Sequence, residues 1–445
     1  MKCLFQKPKS WNRSCFVYWL NVTGECNKQR KQTCIAEMEE QLFDKLVAIR
    51  RRLHQFPELS FTEFKTSALV AAELRGLDIP VITVAQTGLI GTLQKGEGPT
   101  VLLRADMDAL PVQEDSGVSF PSLTEGAMHA CGHDLHVAML LGAAHLLKQQ
   151  DFTGTVRFVF QPAEESPLRS PEPGKSGGQL MMESGELAGA DAVLGLHVNP
   201  LLPTGQLEYK TGEALACVGN FVIRIHGKGG HPGAMKHVID PVAVAGALIP
   251  AAHALVGVQP DPPIAVLAIT HVETLAKPSF NVVPNSMLLQ GSLRAVQIAD
   301  YQSIVARLRT LLQQLEERYN CRIELEFTAY YPGLLNDAGI HDLLSPVRKR
   351  LFGEENMVAG QDYLVGEDFS FYSRAMPGQF YFLGAQTEEN HTYWLHHPKV
   401  TFNEDCIKYG APFLAEGALQ LLQTLKPGEQ VNKPGIGFTA VAAQG

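Results

Sequence analysis

Three short apolar runs constrain the fold more than any other feature of the chain: Thr100-Val101-Leu102-Leu103-Arg104, Thr155-Val156-Arg157-Phe158-Val159-Phe160 and Ala192-Val193-Leu194-Gly195-Leu196. The first is the continuous kind expected of a strand buried on both faces, and the other two read as further strands with helices between them. Each runs into groups that carry chemistry. Ala105-Asp106-Met107-Asp108 follows the first, Gln161-Pro162-Ala163-Glu164-Glu165 the second, and His197 the third. In an open α/β sheet, ligands bind in the crevice outside the carboxyl ends of the strands, so the repetition predicts one site fed by three strands.

Between the first two runs lies His129-Ala130-Cys131-Gly132-His133-Asp134-Leu135-His136, ahead of an apolar segment that predicts a helix from about 135 to 149. Imidazole and thiolate are ligands of choice for zinc and neighbouring first-row ions, and a Cys-x-His spacing on a loop can turn both side chains one way. His129 and His136 read equally well as ordinary polar residues of a loop and helix start, and Cys131 taken alone as a small buried side chain. Counted together, Cys131, His133, Glu165, His197 and either His396 or His397 are five mixed ligands, more than one tetrahedral zinc needs. They suit two ions about 3.5 to 4 Å apart. Glu164, beside a ligand carboxylate, is then available as general base; without the buried strand before it, Glu164-Glu165 would read as a solvated pair.

Elsewhere the spacing predicts helices from Glu37 to Pro57, with Leu42, Leu46, Ile49 and Leu53 on one face, and from Glu63 to Leu74, then strands at 81–84 and 89–93. Between about 211 and 328 the order becomes strand, helix, strand, strand, helix, strand, the ferredoxin-like order, which predicts an inserted second domain. The first architecture resumes with a helix at 340–351, a strand at 379–383 and a closing helix at 411–425. The expected division is thus a catalytic domain at 37–210 and 329–426, a satellite domain at 211–328, a poorly ordered extension at 1–36 and a loose tail at 427–445.

With 445 residues, 45% of them hydrophobic, the chain can bury sizeable cores, and a net charge of -9 leaves no basic stripe for nucleic acid or anionic membrane. No run of about 18 apolar residues is present that would span a bilayer. Cys3, Cys15, Cys26 and Cys34 crowd the first 34 residues, while Cys131, Cys217, Cys321 and Cys406 are scattered singly, a pattern of a reducing compartment such as the cytoplasm rather than a disulfide framework. Asn21-Val22-Thr23 matches a glycosylation acceptor, which matters only in a secreted chain.

From about 38 to 425 the chain resembles the metal-dependent amidohydrolases that include hippurate hydrolase, aminoacylase-like enzymes and plant hydrolases of auxin–amino acid conjugates. The resemblance rests on Arg104-Ala105-Asp106-Met107-Asp108-Ala109-Leu110-Pro111, the His129 to Asp134 stretch, Gln161 to Glu165, Gly195-Leu196-His197-Val198, Asn281-Val282-Val283-Pro284, Gly291-Ser292-Leu293-Arg294 and Glu367-Asp368-Phe369. It implies a zinc-exopeptidase-like α/β catalytic domain and two divalent ions (Mn, Zn, Ni or Co) held by Cys131, His133, Glu165, His197 and His396. His396 is preferred to His397 because the family's histidine stands two residues before the proline. It further implies Glu164 as base, support from Asp106 and Asp108, a contribution from His231, Asn281 and Arg294 of the satellite domain, and a homodimer formed through that domain. The expected reaction is hydrolysis of an N-acyl amino acid, with a hippurate-like, N-acetyl or indole-acetyl acyl group. The chain departs from the family pattern where Gly229-Gly230-His231 leads to Met235-Lys236-His237, displacing the second histidine by one place, and in a long loop at 166–177. The rival readings are a dipeptidase or carboxypeptidase of the same clan, a metal-binding protein without turnover, and a redox role for Cys131.

Overall fold

The computed structural model describes residues 38–261, 263–274 and 279–428. The expected N-terminal extension with its four cysteines and Asn21, and the tail from 429 onward, lie outside the described residues.

The amphipathic segment after Glu39 forms α1 (Glu40–Gln55), burying Leu46, Ile49 and Leu53 as its spacing predicts, and α2 (Phe64–Gly76) follows. Next come β1 (Val81–Val84), β2 (Gly88–Lys95), β3 (Thr100–Asp106), α3 (His133–Lys148), β4 (Gly154–Gln161), α4 (Gly177–Glu183) and β5 (Ala192–Asn199). After short strands β6 (Leu207–Tyr209) and β7 (Gly212–Leu215), a second architecture comprises β8 (Cys217–His226), α5 (Pro241–Ala254), β9 (Ala265–Thr274), β10 (Ser286–Ala295), α6 (Ile298–Tyr319) and β11 (Arg322–Tyr331). The chain then returns through β12 (Leu334–Asn336), α7 (Ala338–Leu343), α8 (Ser345–Phe352), β13 (Met357–Ala359), α9 (Ser370–Ala375), β14 (Gly378–Gly384) and α10 (Ile407–Thr424).

The eight-stranded sheet runs β1-β2-β4-β3-β5-β14-β6-β13. Its centre is parallel: β3 pairs with β4 and with β5, and β5 with β14, so the three chemistry-bearing strands end on one side. On β3, Val101, Leu103 and Ala105 enter the core beneath α1, α3 and α10, whereas Leu102 enters the opposite core with Phe369, Tyr372 and Met376. Period-two alternation therefore places Arg104 and Asp106 on the second face, both buried. The satellite sheet has the order β11-β8-β10-β9, antiparallel throughout, with α5 and α6 packed on it over a separate apolar core. This is the ferredoxin-like arrangement expected from the element order. β7, just before it in the chain, pairs with β12 rather than with this sheet.

Three boundaries differ from expectation. α3 begins at His133, two residues early, because Gly132 takes a left-handed φ of 84° that starts the helix; a Cβ there would meet Val198 Cγ2 at 2.4 Å. The helix expected over 340–351 is two, broken at Leu344, with Pro346 opening the second. α10 begins at Ile407, led in by a 3₁₀ turn that Asn403 caps, and carries Pro412 inside it.

A buried ionic network ties α1 to the start of α3. Arg50 Nε lies 2.9 Å from Asp134 Oδ2, His54 Nδ1 2.8 Å from the same oxygen, and His54 Nε2 3.1 Å from Glu114 Oε1. Burial opposes a charge on His54, but the Asp134 and Glu114 carboxylates outweigh it and raise its pKa. A raised pKa means that His54 stabilises the fold fully below its unfolded value of about 6.5, and that this contribution is lost as pH climbs through the folded value. In denaturant titrations from pH 6 to 9, wild type should therefore lose stability relative to His54→Gln as pH rises; parallel curves would contradict the network's charge state.

Candidate metal centre

The strand ends assemble the site as the sequence suggests, with His197 lying inside β5 rather than after it, opposite Phe382 of β14. Cys131, His133 and His197 offer ligand atoms within 4.8 Å of one another, as do Cys131, Glu165 and His396, and His133, Glu164 and Glu165. Cys131 Sγ is 3.3 Å from His197 Nε2, Glu165 Oε1 is 3.2 Å from His396 Nε2, and His133 Nε2 is 3.8 Å from the same Glu165 oxygen. His396 has φ 68°, and its backbone N–H donates to Ala130 O, which fastens the late loop to the cysteine loop.

Backbone carbonyls orient two of the imidazoles. His133 Nδ1 lies 2.9 Å from Asp108 O and His197 Nδ1 lies 2.8 Å from Val198 O, which turns each Nε2 toward the cluster in the manner of a metal-ligating histidine. His136 differs: its Nδ1 lies 2.5 Å from Asp106 Oδ1 and its Nε2 accepts from the Val198 N–H, so both nitrogens are in use. It is buried, and with Asp106 and His133 it forms a further group of ligand-type atoms within 4.8 Å of one another. His129 is buried with neither ring nitrogen hydrogen-bonded, and burial lowers its pKa to about 4. His397 stacks on Tyr393 and accepts from the Lys399 N–H, outside the ligand groups.

The donor set fits divalent metal. His133 Nε2 and Glu165 Oε1 are buried without a hydrogen-bond partner, a costly state for polar atoms unless a cation answers them. Burial opposes a charge on His133, yet Asp106 and Asp108 raise its pKa to about 10. Burial and the neighbouring Glu165 and Glu164 charges push the Cys131 thiol well up. Positive charge at the centre is what these groups require, and thiolate, imidazole and carboxylate together suit a first-row dication.

Behind the ligands, Arg104 gathers carboxylates: Nη1 lies 2.6 Å from Asp106, and Nη2 lies 3.0 Å from Glu367 and 2.8 Å from Asp368. Glu164 faces this group. Burial first, then Glu367, Glu165 and Asp368, raise its pKa well above the ordinary carboxyl range. Its backbone oxygen accepts from Tyr331 Oη at 2.8 Å, a contact from the satellite strand β11.

Cys131, Glu164, Glu165, His197 and His396 line a cavity of about 370 Å³. One wall is aromatic, with Tyr363, Phe382 and Trp394; Tyr363 stacks on Trp394 with ring centroids 6.2 Å apart, and its hydroxyl donates to the buried Glu208. Asn220 and Arg294 line the satellite side, and the Arg294 guanidinium donates to Leu364 O at 2.8 Å. His231 and Asn281 do not line this cavity: both are exposed, His231 accepting from the Gly233 N–H and Asn281 from the Ser279 hydroxyl. Sequence reading missed Tyr331, Tyr363, Phe382 and Trp394. Of these only Trp394 carried a signal, two residues before His396.

The model for Peptidase family M20/M25/M40 matches residues 102–420. The chain is 38% identical to the IAA-amino acid hydrolase ILR1-like 4 of Arabidopsis thaliana, over 86% of this chain and 87% of that one. It is 36% identical to the N-acetylcysteine deacetylase of Bacillus subtilis, over 86% and 98%. Among solved structures, the Bacillus subtilis YXEP protein, described as a dinuclear metal-binding peptidase of the M20 family, superposes with a TM-score of 0.74 at 33% identity, covering 87% of this chain and all of that one.

The ligand geometry makes a distinction that metal titration can read. His396→Ala and Glu165→Gln should each weaken binding of Mn(II) by at least about tenfold, whereas His397→Ala should leave affinity and stoichiometry unchanged. Equal losses for the two histidine variants would remove His396 from the ligand set.

Proposed function

The chain belongs to peptidase family M20/M25/M40, and from that premise we propose that it hydrolyses the amide bond of N-acyl amino acids, releasing a carboxylic acid and a free amino acid. The observation that carries this reading is Glu164, a buried carboxylate with a raised pKa beside five metal-type ligands and facing the cavity. A purely structural metal site is closed and has no use for such a group.

Cys131, His133, Glu165, His197 and His396 would hold two divalent ions, whose chemistry there would be to polarise the amide carbonyl and acidify water. Mn, Zn, Ni and Co all tolerate this ligand set, and availability decides among them. Glu164 takes a proton from the attacking water and hands it to the leaving nitrogen, so that one amide and one water become a carboxylic acid and an amine. Arg294, on the satellite wall, meets the carboxylate of the amino acid, a role a planar guanidinium performs through paired hydrogen bonds. Tyr363, Phe382 and Trp394 receive the acyl group, and their faces favour a planar aromatic acyl group over acetyl.

The chain acts as a homodimer joined through the satellite domain, a reading supported by Val272, Phe280 and Val282, which are exposed there. His231 and Asn281, which do not line the cavity of their own chain, then serve the other copy's cavity, His231 at the oxyanion. Four unpaired cysteines among the described residues support a reducing, cytoplasmic setting, and no described helix is long and apolar enough to cross a membrane.

Turnover by the metal-loaded protein of N-acetyl, N-benzoyl and indole-acetyl amino acids, beside unblocked dipeptides, tests the reading. The aromatic acyl substrates should be cleaved fastest, and preference for dipeptides would assign the chain to the peptidases. Glu164→Gln should lower kcat by about 10² to 10⁴ with metal still bound, and unchanged kcat would overturn its role. Arg294→Ala should raise KM for these acids while leaving their carboxamide analogues unaffected.

A further inference from the structure

Four residues other than glycine adopt left-handed backbone in one corner of the catalytic domain: Phe61 (φ 60°), Ala85 (φ 50°), Gln86 (φ 72°) and Ala163 (φ 47°). A side chain disfavours such angles, so something must hold them. Phe61 and Ala163 pack together with Leu180 and Ala85 in a small cluster of their own. Glu63 stands beside it, fully buried. Its Oε1 accepts from the Phe61 N–H and the Ala163 N–H, each at 2.9 Å, and its Oε2 accepts from Thr87 Oγ1 at 2.6 Å. One carboxylate thus secures two of the four strained amides.

Ala163 directly precedes Glu164 and Glu165, so its backbone angles set the direction in which both are delivered. The next two amides are held by a second carboxylate: Glu164 N–H and Glu165 N–H donate to Asp108 Oδ1 and Oδ2, each at 3.1 Å, and Asp108 is itself fixed by the Ser60 hydroxyl at 2.7 Å. Three successive amides therefore end on two buried carboxylates, one from the start of α2 and one from the loop after β3.

We infer that Glu63 is a positioning residue for the Glu164-Glu165 turn, holding Ala163 left-handed so that one carboxylate reaches the metals and the other the reacting water. Its work lies in the geometry of its acceptor oxygens, not in its charge. The part concerning Glu164 rests on the proposed function; the part concerning Glu165 rests on the ligand cluster alone.

Glu63→Gln keeps an oxygen where the two amides donate, whereas Glu63→Asp keeps the charge and withdraws it by one methylene. Cobalt(II) added to metal-free protein is the probe, read by affinity and visible absorption, with kcat and KM measured in parallel. We expect Glu63→Asp to weaken cobalt binding by roughly 10- to 100-fold, to alter the ligand-field spectrum, and to lower kcat more than it changes KM. Glu63→Gln should keep the wild-type spectrum and affinity, and adding Ala163→Gly to Glu63→Asp should restore part of both, since glycine takes the left-handed angle without a holder. Wild-type cobalt binding in Glu63→Asp, equal losses in the two single variants, or no recovery from Ala163→Gly would each overturn the inference. A wild-type protein inactive on every amide would overturn the proposed function and leave the cobalt comparison intact.

Discussion

The structure depends on a concentration of buried negative charge around one guanidinium. Asp106, Asp108, Glu164, Glu367 and Asp368 are all buried, and Arg104 directly contacts three of them. Burial first, with the Asp106 and Asp368 charges, pushes Glu367 up to about 8, and Arg104 only partly offsets them. Carboxylates in an interior are tolerated when paired and fully hydrogen-bonded, and here the pairing is incomplete on the side that faces the ligands. That imbalance is what a dication would satisfy, and it explains why His133 carries a raised pKa while His197, farther from the acids and beside other imidazoles, is driven well down, chiefly by burial.

Backbone hydrogen bonding does the remaining positioning. His133 and His197 each point Nε2 inward because Nδ1 meets a carbonyl, and the Glu164-Glu165 turn is held through its amides rather than its side chains. The parallel core makes this possible: β3, β4 and β5 end together, so loops far apart in sequence meet at one rim. The satellite domain lines the cavity with Arg294, Asn220 and Tyr331, opposite the aromatic wall of the catalytic domain.

Much of this was legible in the sequence. The buried strands, the Cys131-His133 loop, the acidic pair after β4 and the strand-helix order of the satellite domain are local patterns, and periodicity reports local burial directly. The choice of His396 over His397 came from the resemblance alone, because adjacent residues share a local pattern; in the structure the His396 ring lies at Glu165 and His397 stacks on Tyr393. That His231 and Asn281 do not line the cavity was not legible in the sequence, since spacing does not report which residues of two domains meet.

The amino-acid sequence by itself determined the two architectures and the chemical kinds of group at the site, because apolar periodicity and donor type are properties of short segments. Tertiary structure alone shows which donor atoms are left free and which are consumed by neighbours. His136 lies as near the cluster in sequence as His133, yet Asp106 and the Val198 amide consume both its nitrogens. Glu63, with no motif to mark it, meets the Glu164-Glu165 turn only through the hydrogen bond that its carboxylate accepts from the Ala163 N–H. A hydrogen-bonding group can serve only the partner it touches, and contact across 100 residues is settled by packing.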